Sequence, residues 1–261
     1  MNARAFLLRG LVAGLLAGFA AFGVAFVVGE PSVDKAIAVE EADSAPADHH
    51  GHPDVADSGH AHGDEAVVSR HDQSTWGLLT GTVTVGVTIG GVVALVAAGV
   101  MGRLGRMSPA ASTGTVAGIG YVAVALVPFL KYPAAPPAVG DPDTIDQRTA
   151  LYFAFVLASV GAAAVCTWVA ARLRGAWGGG GAVLAGVGGY LALVVSTGAL
   201  MPSVDEVGDF PGDVLWTFRL GSVFTSAALW ATVGVALVVM VGRRHAEYLA
   251  QAERRAFARS L

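Results

Sequence analysis

The apolar positions of this chain fall in long runs separated by polar segments. Six runs cover residues 6–28, 76–101, 113–130, 150–171, 181–201 and 220–241, and the cores of all six lack Asp, Glu, Lys, Arg and His. Each is close to or above the roughly 17 to 25 residues that an α-helix needs to cross about 30 Å of hydrocarbon. Hydrocarbon offers no water to satisfy backbone groups, so such a segment is helical. The pattern predicts an all-α polytopic membrane protein with six transmembrane helices. In the first run Gly10, Gly14 and Gly18 repeat at a spacing of four, a small-residue face on which another helix can pack closely. That run also has a second reading. Arg4 and Arg9, an apolar stretch and then Ala36-Ile37-Ala38 resemble a secretory signal, and its cleavage would leave five spans. Retention is the expectation, because the run exceeds the usual ~7 to 15 residue signal core and the Ala-x-Ala lies several polar residues beyond it.

The polar connections differ in kind. Residues 126–148 begin as the last turns of an apolar helix, are expected to break at Pro128 and Pro133, and continue through Pro136, Pro137 and Pro142. Each proline fixes φ, removes a donor and disfavours the α region for its predecessor, so a stiff, extended segment is expected at the membrane edge. Residues 201–213 again combine prolines with acids and lead to Arg219. An arginine at that depth requires a partner or a snorkelling route, and Asp205, Glu206, Asp141 and Asp143 are the candidates. After the first run, Pro31 can open a helix whose Val33, Ala36 and Ile37 share a face along the membrane surface; a plain polar exit fits the pattern as well. Gly178 to Gly181 form a short flexible turn between the fourth and fifth runs.

Charge gives these segments a side. With the N terminus inside, one face carries eleven arginines against Glu247 and Glu253, a net +9, and the other carries five bases against eighteen acids, a net −13. Positive-inside bias thus places both termini in the cytoplasm and the proline-rich segments outside the cytoplasmic membrane. Trp76, Tyr132, Tyr152 and Trp216 fall at outer boundaries, as an aromatic belt requires. Composition agrees: 54% hydrophobic residues, 14% charged and a mean hydropathy of +0.61 exclude an ordinary soluble domain. Residues 1–261 read as one membrane domain, with a flexible outer loop at 42–70 and a basic cytoplasmic tail at 242–261.

The outer loop holds the clearest candidate chemistry. His49, His50, His52, His60 and His62, followed by His71, lie among aspartates in a tract too poor in large apolar residues to fold alone. Neutral imidazole binds cobalt, nickel, copper or zinc, and a flexible His/Asp tract can wrap such an ion without the fixed spacing of a structural zinc site. The bland alternative is a solvated acidic loop. Thr80, Thr84 and Thr88 share one helix face; Cys166 with Thr167, Ser196 with Thr197, and Ser222, Thr225 and Ser226 place further polar groups within apolar runs. They either line a hydrated path or bond to preceding carbonyls and neighbouring helices. No phosphate loop, nucleophile with a base, or zinc-protease spacing is present, and no histidine lies within a spanning run to ligate haem. The chain therefore reads as neither an enzyme nor a nucleic-acid binder, with no permanently bound cofactor.

Three outer segments carry a family resemblance: GEPSVDKAIAVEE at 29–41, LVPFLKYPAAPPAVGDPDTIDQRTALY at 126–152, and LMPSVDEVGDFPGDVLWTFRLGS at 200–222. The chain resembles the CbtA family of cobalt transporter subunits over nearly its whole length except the His-rich loop. The resemblance implies a cobalt importer linked to cobalamin supply, working with a small one-helix, His-containing CbtB-like partner, with cobalt as the transported ligand. The three segments that carry the resemblance, placed on one side by charge, imply an outer vestibule around Glu30, Asp34, Lys131, Asp141, Asp143, Arg148, Asp205, Glu206 and Arg219. A non-transporting scaffold, with the three segments as a rigid platform for another protein, is the alternative.

Overall fold

A computed structural model describes residues 3–44, 69–105 and 107–260. It is helical with no strand among the described residues. Five helical stretches are long and apolar enough to cross a membrane: Ala3–Ala42, Arg70–Val100, Pro109–Lys131, Pro142–Leu200 and Gly212–Arg259.

The first stretch comprises α1 (Ala3–Val24), a π turn (Ala25–Gly29) and α2 (Glu30–Ser44). The second comprises α3 (Arg70–Asp72), a π turn (Gln73–Gly77) and α4 (Leu78–Val100). The third comprises α5 (Pro109–Gly120), a π turn (Tyr121–Leu126) and α6 (Val127–Lys131). The expected break at Pro128 is absent, and Pro31 does not open a separate helix, because the helix runs through both prolines. A proline cannot donate to the carbonyl four residues back, here Val27 or Val124, and each of those carbonyls lies inside a π turn whose wider spacing offers another donor. The expected surface helix after Pro31 is also different. It continues the first stretch, and Ser32 and Ala36, four residues apart, are buried where α2 meets the last helix.

The fourth and fifth apolar runs are joined in α7 (Ile145–Leu200), whose 56 residues include one non-helical position, Gly178, at φ 69 and ψ 175. Straight, it would be about 84 Å long. It is not straight: Phe155 meets the Gly198 position, Cys166 meets Gly189, and Ala170 meets Gly186. Partners descend one limb as they ascend the other, which is an antiparallel hairpin with Gly178 near its tip. The Ser159 and Tyr190 hydroxyls, 2.8 Å apart and buried, tie the limbs together. The last helix, α8 (Gly212–Arg259), begins eight residues before the expected run and extends through most of the basic tail.

Packing divides the molecule in two. α1, α4, α5 and α8 share one core built around Phe6, Trp230, Val233 and Leu237. The α1–α4 contact is a glycine seam: a Cβ on Gly10, Gly14 or Gly18 would collide with the backbone of Gly90, Gly86 or Val83. This is the close approach that the spacing of four predicts. The α7 hairpin joins the bundle chiefly through the Tyr121–Leu126 turn and α6, around Ala123, Cys166, Tyr190 and Val194.

Candidate functional site

The seam between bundle and hairpin holds three cavities. At the end bearing the proline-rich segment lies one of about 480 Å³, walled by residues from α6, the 132–144 connection, the start of α7, the 201–211 connection and α8. A smaller one of about 140 Å³ shares Phe129 and Tyr152 with it and adds Tyr121, Ser222 and Ser226. An apolar groove of about 610 Å³ runs along α5, α6 and both limbs of α7, past Cys166, Thr167 and Tyr190 to Arg174. The Tyr121–Leu126 π turn borders the last two, in keeping with the frequency of π turns at functional sites.

The cavity beside the proline-rich segment is built by cross-links between segments distant in sequence. Tyr132 ends α6 with its hydroxyl donating to Pro202 O at 2.8 Å, and Lys131 Nζ donates to Met201 O at 3.3 Å. Burial pushes the Tyr132 phenol above its ordinary pKa, so it remains a neutral donor at physiological pH. Its ring packs edge-on against Phe155, 6.0 Å between centroids. The chain then turns through Ala138 and Gly140, both at positive φ, into the Pro142–Thr144 turn. Asp141 caps that turn, with Oδ1 accepting from Asp143 N at 2.9 Å.

Glu206 closes the structure from the other side. One of its oxygens accepts from Asp141 N and the Thr144 hydroxyl, each at 3.0 Å, and lies 3.4 Å from Arg148 Nε. The Arg148 contact is an ion pair rather than an aligned hydrogen bond, and Nε is enclosed; Nη2 donates to Asp141 O at 3.1 Å. Arg219 reaches into the same cavity from α8, with Nε donating to Ala134 O at 3.4 Å. Among the described residues it pairs with no carboxylate, so none of the four acids named for it is its partner. The helix direction decides this: α8 aims Arg219 at the Ala134 backbone, while Glu206 is held by Arg148.

Two vestibule candidates are paired away from this cavity. Glu30 and Asp34, one turn apart on α2, both pair with Arg70, which lies 2.8 Å from Asp34 and in closer contact with Glu30. Arg70 tethers α2 to the start of the second stretch across residues 45–68, a role its sequence position alone did not reveal. Its one signal was its place as the last charge before His71. α2 and the π turn before it still approach the first turns of α8, where a Cβ on Gly221 would come 3.2 Å from Gly29 Cα. All three motif segments thus border the first turns of α8. Asp141, Asp143 and Asp205 are exposed.

Thr80, Thr84 and Thr88 lie on the exposed face of α4, opposite the glycine seam, and Thr88 bonds back to Thr84 O at 2.8 Å. Cys166 is buried at the groove, Ser196 is exposed, and the Ser222 hydroxyl donates to Phe218 O at 3.0 Å. Thr225 is half-buried on α8. Ser159 and Tyr190, a buried polar pair, were missed because single hydroxyls in apolar runs carry no pattern. His49, His50, His52, His60 and His62 lie outside the described residues, and His71 is exposed within α3. Among the described residues no group of three or more His, Cys, Asp or Glu is placed to hold a metal ion.

Long apolar helices, with a ligand-sized cavity at the seam of two helical units, define the class as a helical protein of the multi-span membrane type. The chain belongs to the CbtA family, whose profile, described as "Probable cobalt transporter subunit (CbtA)", matches residues 3–242. No curated protein and no solved structure gives a significant match.

Proposed function

We propose that this chain is the membrane subunit of a cobalt importer and that the metal enters through the bundle–hairpin seam. The observation that carries this reading is the stacking of two cavities: the outer one shares Phe129 and Tyr152 with a smaller one that presents Ser222 and Ser226. Six crossings are the natural count, because the α7 hairpin has two limbs about Gly178, and positive-inside charge then puts both termini in the cytoplasm. The net −13 of the outer side raises the local concentration of divalent cations. The His/Asp tract of residues 42–70 captures them with neutral imidazole and releases them as the pH falls below roughly 6.

Membership in a complex follows from the family's description, and the partner we propose is a small one-helix, His-containing CbtB-like chain in the same cytoplasmic membrane. The test is uptake of labelled cobalt by cells with and without this protein and its partner, followed by flux into vesicles containing the purified chain. Loss of accumulation on deletion is expected; unchanged accumulation refutes the transport role. Binding to the partner without flux, even in the reconstituted pair, would leave the scaffold. Replacing the six histidines with alanine is expected to weaken cobalt binding near neutral pH and to lower transport less; unaltered binding would make the loop a solvated insertion.

A further inference from the structure

The polar groups of the outer cavity suit an anion. They are chiefly two guanidiniums, Arg148 and Arg219, and one carboxylate, Glu206. Glu206 neutralises Arg148 and is already engaged by Asp141 N and Thr144. Among the described residues Arg219 is bound only through Nε, by a long 3.4 Å contact, which leaves its terminal nitrogens for a ligand. A guanidinium offers a planar fork of N–H donors that matches the two oxygens of a carboxylate. Around it Phe129, Tyr132, Pro133 and Tyr152 supply apolar wall, and the volume of about 480 Å³ falls in the range of small-molecule sites.

We propose that this cavity binds a small organic carboxylate through Arg219 and that the metal arrives there as an anionic complex of such a molecule. A divalent ion chelated by a tricarboxylate carries a net negative charge, which the uncompensated Arg219 attracts within the cavity. The carboxylate site stands on the cavity alone, whereas its role in delivering metal rests on the cobalt-transport reading above.

The test is calorimetric titration of the full-length protein in lipid nanodiscs with citrate, cobalt citrate, cobalt chloride and inorganic phosphate in turn. Saturable binding of cobalt citrate is expected, weakened roughly tenfold or more by Arg219→Gln and less by Arg219→Lys, which keeps the charge but loses the fork. Ala135→Phe narrows the cavity while keeping the Arg219 guanidinium and is expected to weaken binding too, so a poorly folded Arg219→Gln does not end the test. Comparable binding of free citrate identifies the carboxylate as the recognised group, and binding of the complex alone identifies the chelate; either supports the site. Absence of saturable binding, equal binding by wild type and both variants, or equal competition by phosphate overturns it. Cobalt uptake by cells given only the free ion separates the two readings. Intact uptake with no citrate site leaves transport standing, and a citrate site without uptake leaves the site standing.

Discussion

Glu206 concentrates the cavity wall on one carboxylate oxygen, which joins the 201–211 connection to the Pro142–Thr144 turn and to α7 through Arg148. Both partners of the ion pair remain about a quarter exposed, at 25% and 24% of their side-chain surface, so solvent screens their attraction. Glu206→Ala is expected to cost about 1 kcal/mol, most of it from the unpaired Asp141 N–H and Thr144 hydroxyl. Glu206→Gln, which keeps a carbonyl acceptor, is expected to cost less. Thermal unfolding of the purified variants checks the order, and equal midpoints for wild type and Glu206→Ala would refute it. Glu206 and Arg219 were both legible as candidates from their position between prolines and a membrane helix. Their partners were not, because pairing depends on which way α7 and α8 turn their side chains.

At the scale of elements, two glycine positions make sharp predictions. Gly86 meets the α1 backbone at Gly14 and Gly18, whereas a Cβ on Gly81, on the same helix, would meet nothing within 4 Å. Gly86→Leu is expected to destabilise the bundle by about 3 kcal/mol or more, since neither backbone can yield, and Gly81→Leu to be nearly neutral. Gly178 occupies a backbone region that is essentially glycine-only, and Gly178→Ala is expected to cost about 1 to 3 kcal/mol. The adjacent Gly179 and Gly180 have open space and no positive φ, so their alanine variants are expected to be tolerated. Reversible unfolding in detergent measures both comparisons; an intolerant Gly179→Ala with a tolerant Gly178→Ala would move the hairpin tip. The glycine face of α1 could be read from spacing alone. The glycine that turns α7 could be narrowed only to a run of four.

For the molecule as a whole, the sidedness of the hairpin is decisive. Cys166 is buried and is the single cysteine, so the chain gives little background to impermeant thiol reagents. Cysteines placed at Asp143 and Asp205, beside the two ends of α7, are expected to label from outside, and one at Gly179 only after the membrane is opened. Labelling of Asp143→Cys and Asp205→Cys from opposite sides would mean that α7 crosses once and would end the six-crossing topology.

By itself, the sequence determined that the chain is helical, that its apolar stretches are long enough to cross a membrane, and where α1 offers a close-packing face. Those properties follow from local quantities: the length of apolar runs and the interval between glycines. Tertiary structure alone decided that the helix continues through Pro31 and Pro128, that Arg70 engages Glu30 and Asp34, and that Arg148 rather than Arg219 takes Glu206. Each depends on how neighbouring backbones are displaced and rotated, by a π turn, a hairpin tip or a helix start. No residue type or spacing encodes that displacement until the helices meet.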